Sequence, residues 1–247
     1  MTFELLSSIE LTASAAIVVA LLASGLAATP HGRAATAAGF AMWFLGVTAA
    51  AATGLLHRAD VLGLAGVGTA VLAPIVIAVW AFSVSERVRT AVLRIPLTTL
   101  VAVHTVRVLG ISFVLLYAAG RLPAPFAPVA GWGDIGVGLA APLVAWLVAQ
   151  RHARGRSVLI AWNTVGLADL VAAVGLGVAS SPGILNLFGA SVDAGLMTTL
   201  PWLLIPGFLV PTLAASHVAI FFRLRAGLDT PPARASAALP HRVVAGL

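Results

Sequence analysis

Residues 95–120 read IPLTTLVAVHTVRVLGISFVLLYAAG, and Arg121 follows. The stretch is apolar over more than the roughly 20 residues that a helix needs to cross the hydrocarbon core of a bilayer. It does not alternate with a period of two, so it does not read as a strand of a membrane barrel. It nevertheless carries His104 and Arg107, three residues apart and therefore on one helical face. One run thus supplies both the fold class and the first candidate site residues.

Six further runs of the same kind flank it. The seven predicted spans are about 11–29, 34–56, 61–85, 95–120, 131–150, 157–180 and 198–222. The whole chain of 247 residues is 60% apolar and only 9% charged, where an average soluble domain carries roughly 25% charge. Such a chain cannot clothe a soluble surface, so the expected class is an all-α integral membrane protein. Residues 1–226 are expected to form a single seven-span domain. Residues 227–247, with two adjacent prolines and many small side chains, are expected to form a disordered cytoplasmic tail. The N-terminus carries Glu4 and Glu10 and no positive region, which is unlike a signal peptide. Residues 1–10 are expected as an interfacial turn, which leaves spans one to three without a charge.

Arginine sets the orientation. Arg33, Arg87, Arg89, Arg94, Arg151, Arg154, Arg156, Arg223, Arg225, Arg234 and Arg242 fall in one set of connections, and only Arg58 and Arg121 in the other. The positive-inside rule then predicts the N-terminus outside and the C-terminus in the cytoplasm, with a bacterial cytoplasmic membrane as the expected location. The net charge of +6 is absorbed by this loop bias, so nucleic acid is not an expected partner; the lipid bilayer and a small-molecule ligand are. The connection Ser181–Met197 is expected to lie at the outer interface. The connection Arg121–Pro128, with three prolines, is expected to be extended.

Several chemistries are excluded. There is no cysteine, hence no disulfide, thiolate metal site or cysteine nucleophile. All basic side chains are arginine, so neither a retinal Schiff base nor a P-loop can be built. No zinc-protease helix, dinucleotide loop or nucleophile elbow is present, and no metal site is expected.

Charges inside a bilayer cost roughly 2.5–3.5 kcal/mol each at its centre and read as functional. The candidate ligand-binding residues are His104 and Arg107 in the fourth span, Asn163 and Asp169 in the sixth, and His217 in the seventh. At about 1.5 Å per residue, Arg107 and Asp169 each lie about 18 Å from the cytoplasmic start of their spans, so they are placed to pair near the midplane. Pro201, Pro206 and Pro211 recur every five residues and are expected to kink the seventh span into a gate. Asp134 is expected to cap the start of the fifth span and to face Arg121 at the outer mouth. Gly63, Gly66, Gly136, Gly166 and Gly175 are expected to admit close helix contacts.

These residues suit a small-solute or proton-coupled permease. They also suit a redox protein with haem held by His104 and His217, or a lipid or isoprenoid enzyme using His104 or Asp169 as general acid or base. A structural or sensing protein, in which the polar residues only clasp helices, is the reading without chemistry.

Overall fold

The structure is a computed structural model and describes residues 3–54 and 61–227. It is all-helical, and no strand forms among the described residues. The helices are α1 (Phe3–Leu26), α2 (Pro30–Ala52), α3 (Val61–Val84), α4 (Glu86–Arg94), α5 (Leu97–Ala118), α6 (Phe126–Ala149), α7 (Gly155–Ala179) and α8 (Ile205–Arg225). Among the described residues, six helices are long and apolar enough to cross a membrane. The count is seven if α3 and α4, bent by 106° at Ser85, are taken as one span. The expected tail beyond Gly227 and the end of the second span with Arg58 lie outside the described residues.

Local chemistry explains the helix ends. Thr29 caps α2, its hydroxyl accepting from the Gly32 N–H at 3.1 Å, and Pro30 takes the first helical position, where a missing N–H costs nothing. Ser85 caps α4 in the same way through Val88. The 86–94 stretch, read as a connection, is therefore a short helix, with Glu86 in its first turn and Arg94 in its last, as the helix dipole favours.

Three expectations about boundaries change. α1 spans Phe3–Leu26, so residues 3–10 of the expected interfacial turn belong to it and α1 carries both Glu4 and Glu10. α6 begins at Phe126, so Pro128 lies in a helical first turn, not in an extended connection. α8 begins at Ile205, because Ala194–Thr198 forms its own 3₁₀ turn and Pro201 lies before the helix.

The middle of α5 and the start of α8 depart from α geometry. Val103–Gly110 winds as a 3₁₀ helix, and Ile205–Leu209 as a wider π turn. A 3₁₀ run of eight residues is long, since more than 3–4 is uncommon. Three residues per turn bring His104, Arg107 and Gly110 into line on one face, and all three are buried.

α5, α6, α7 and α8 pack side by side, with α1 against α5 and α2 against α1 and the π turn. α5 and α6 meet backbone to backbone. A methyl group at Gly138 would stand 2.5 Å from the Val108 nitrogen, and one at Gly131 2.9 Å from the Gly110 carbonyl oxygen. The π turn is held from α2: Phe208 lies 4.9 Å from Trp43 and 5.5 Å from Phe44 between ring centroids.

The arginine-rich connections gather at one end. Arg223 donates to the Leu93 carbonyl and Arg156 to the Leu224 carbonyl, which joins α8 to α4 and α7 there. The opposite end holds the start of α1, where Glu4 pairs with Arg121 at 2.7 Å and Phe3 packs on Trp202.

Candidate functional site

The close α5–α6 approach puts the Arg107 backbone beside a glycine surface, from which its side chain reaches past α6 to α7. The guanidinium is buried, with its side chain 1% exposed. Its Nε–H donates to Asp134 Oδ1 at 2.6 Å. Nη1 donates to the Gly166 carbonyl at 3.1 Å and lies 3.2 Å from His217 Nε2. Nη2 donates to Asp169 Oδ2. Two carboxylates on neighbouring helices therefore share one cation.

The network assigns the imidazole tautomers. Arginine has no lone pair to offer, so His217 Nε2 must accept from Arg107. The ring proton then sits on Nδ1 and is donated to Asn163 Oδ1 at 2.8 Å. Asn163 returns a bond from its amide nitrogen to the His217 carbonyl at 3.0 Å. Ser216 donates its hydroxyl proton to the Leu213 carbonyl at 2.7 Å, so it accepts from His104 Nε2 at 2.8 Å. His104 Nδ1 is then a buried acceptor without a partner. The two imidazole rings lie 3.9 Å apart, and Trp162 closes their edge at 5.2 Å from His104 and 5.5 Å from His217. The Trp162 N–H donates to the Val137 carbonyl of α6 at 3.1 Å.

All five candidate residues, His104, Arg107, Asn163, Asp169 and His217, are thus brought together. Asp134 requires a correction. It does not cap α6 or face Arg121. It joins the buried cluster as the partner of Arg107, while Arg121 pairs with Glu4. The cause is the earlier start of α6, which draws Asp134 more than two turns into the helix. Of the three prolines, Pro206 lies in the π turn and Pro211 in the first turn of the regular helix after it.

The glycines sort by geometry. A methyl group at Gly166 would stand 2.5 Å from His217 Cε1, so this glycine makes room for the imidazole. At Gly133 it would overlap the Asp169 carboxylate. Gly136 and Gly175 have nothing within 4 Å of such a group, so neither admits a close contact.

Ser216 belongs to the polar cluster without having been expected there, and Glu10 makes a separate polar contact between α1 and α5. Glu10 of α1 accepts from the Ser112 hydroxyl of α5 at 3.1 Å. Ser112 follows Arg107 by five residues on the same helix. The signal in the sequence is the Ser216-His217 pair and the placement of Glu10 at the edge of an apolar run.

Haem does not fit. Axial ligation would place the macrocycle between the two imidazoles. Here the rings touch, and both Nε2 atoms are engaged with Arg107 and Ser216. Among the described residues, no three His, Asp or Glu side chains are placed to hold a metal ion.

Residues 64–225, more than half of the chain, match a family described as a domain of unknown function (DUF8737). The match runs from within α3 to the end of α8 and so includes every residue bonded to Arg107. No curated protein and no solved structure matches the chain.

Proposed function

The chain belongs to the DUF8737 family, and we propose that it is a proton-coupled permease for a small solute, with its N-terminus outside and its C-terminus in the cytoplasm. The observation that carries this reading is the sharing of Arg107 by Asp134 and Asp169 within apolar helices. With both carboxylates ionised, the cluster has a formal charge of −1. An unpaired charge is costly in such surroundings, and one proton neutralises it. His217 is a poor recipient, because a proton on its Nε2 would face the guanidinium that now donates to it. The carboxylates remain. Asp169 and Asp134 side chains are 12% and 15% exposed, so the protein itself does not seal either carboxylate off.

Protonation would loosen the hold of Asp169 on Arg107. Arg107 stands on the 3₁₀ stretch of α5, whose winding is the element able to respond. Rewinding those eight residues to α geometry would shorten them by about 4 Å and turn Arg107 away from its present partners. This supplies two arrangements of one element, which a coupled carrier requires. An enzyme reading has less support, since His104 is fully buried and gives a lipid headgroup no direct approach.

Reconstituted protein with a pH-sensitive dye inside the vesicles tests the proposal. Wild type should collapse an imposed pH gradient, and Asp169→Asn should slow that collapse by at least about tenfold, the loss expected of a proton-transfer group. Equal rates from the two would overturn the mechanism.

A further inference from the structure

A cavity of about 220 Å³ lies beside the polar cluster, walled mainly by α1, α2, α3 and α8. Its walls include Phe40, Trp43, Phe82 and Phe222. Phe82 and Phe222 are stacked at 4.1 Å, and Trp43 lies 4.9 Å from Phe208, so aromatic contacts brace the walls. α2 packs on α1 and the π turn, whereas α3 packs on α8 and α4. The cavity occupies the gap between them, and Ala78 and Val79 at its rim are exposed. Entry is therefore lateral, from the side that apolar helices present to lipid.

Two hydroxyl-bearing residues, Thr212 and Ser216, stand among the otherwise apolar lining. Both have already spent their protons on backbone carbonyls, Thr212 on Phe208 at 2.7 Å and Ser216 on Leu213 at 2.7 Å. What they can offer an occupant is lone pairs, so the occupant must be a donor. A cavity of 150 Å³ lined by apolar side chains accommodates benzene. This one, at about 220 Å³, has room for about nine non-hydrogen atoms on that scale.

We propose that this cavity is a binding site for a small apolar molecule carrying one hydroxyl group, which enters from the bilayer and donates to Ser216. Ser216 also accepts from His104, whose ring lies against His217, the acceptor of Arg107. Occupancy is thereby linked to the Arg107 cluster through two side chains. Taking the molecule as the permease's solute rests on the reading above; the site itself does not.

Fluorine NMR of para-fluorobenzyl alcohol, added to the full chain in micelles with empty micelles as the blank, tests the site. The resonance should shift only with protein present. Benzyl alcohol should displace the probe roughly fivefold more effectively than ethylbenzene, which has the same shape without the hydroxyl, as expected for one hydrogen bond. Ser216→Ala should abolish that preference. Ala215→Phe, which fills the cavity without touching the His104 contact, should abolish the shift, and it carries the test if Ser216→Ala does not fold. Equal displacement by the two competitors, or an unchanged shift with Ala215→Phe, would show a site filled by hydrocarbon alone and overturn the proposal. Binding that persists in Asp169→Asn without proton flux in wild type would sink the permease reading and leave the site standing.

Discussion

Arg107 commits its Nε–H, both Nη1 hydrogens and one Nη2 hydrogen to partners on three helices. Lysine has neither the planar fork nor enough donors to replace it. Removing the cation leaves two carboxylates facing each other away from water. Arg107→Leu is therefore expected to destabilise the protein by about 3–5 kcal/mol, the usual cost of breaking a buried ion pair by removing one partner. Adding Asp134→Asn and Asp169→Asn to that variant should recover stability, because the repulsion and the desolvated charge vanish together. Thermal unfolding of the three proteins in micelles measures this. A triple variant no more stable than Arg107→Leu would mean that the carboxylates are better solvated than their burial implies. The sequence already marks Arg107 and Asp169 as equally deep. It cannot mark Asp134, because the local signal, Gly-Trp-Gly-Asp after a proline-rich stretch, also reads as a helix start. Only the packing of α5 on α6 decides between the two.

At the scale of helices, the site depends on how closely α5 approaches α6. Gly138 and Gly136 lie one half-turn apart on α6 and look alike in the sequence. A methyl group on Gly138 would strike the Val108 nitrogen, whereas one on Gly136 meets nothing. Gly138→Ala is thus expected to cost about 1–3 kcal/mol through overpacking. Gly136→Ala should be neutral or stabilising by up to about 1 kcal/mol, since alanine is the better helix former. Parallel unfolding of the two variants checks the pair, and similar losses would contradict the close crossing. The apolar runs make most of the helices legible, because bilayer thickness dictates their length. The non-α stretches are hidden. Nothing in the period of residues 103–110 announces 3₁₀ winding. Pro206 and Pro211 do announce a disturbed α8, and the π turn is the form it takes. The amphipathic α4 is readable from its Ser85 cap once the charged stretch is not assumed to be a loop.

For the whole molecule, the two ends differ in charge. Arg33, Arg94, Arg154, Arg156, Arg223 and Arg225 belong to connections and helix ends on one side, and Arg121 with Glu4 to the other. The cluster around Arg107 lies between these ends, and the cavity lies toward the arginine-rich one, since Leu26, Ile95 and Phe222 line it. Under the permease proposal and the positive-inside rule, the proton would reach Asp134 and Asp169 from the outer side, and the proposed cavity site would lie toward the inner half. The chain contains no cysteine, so single cysteines can report the sidedness without background. Ser191 lies in the connection between α7 and α8, and Ala153 in that between α6 and α7; both are exposed. A membrane-impermeant maleimide should label Ser191→Cys in intact cells and Ala153→Cys only after lysis. The reverse pattern would invert the protein and, with it, the proposed direction of proton entry. Labelling of both in intact cells would mean that α7, the helix between the two positions, does not cross the membrane, and would overturn the proposed topology.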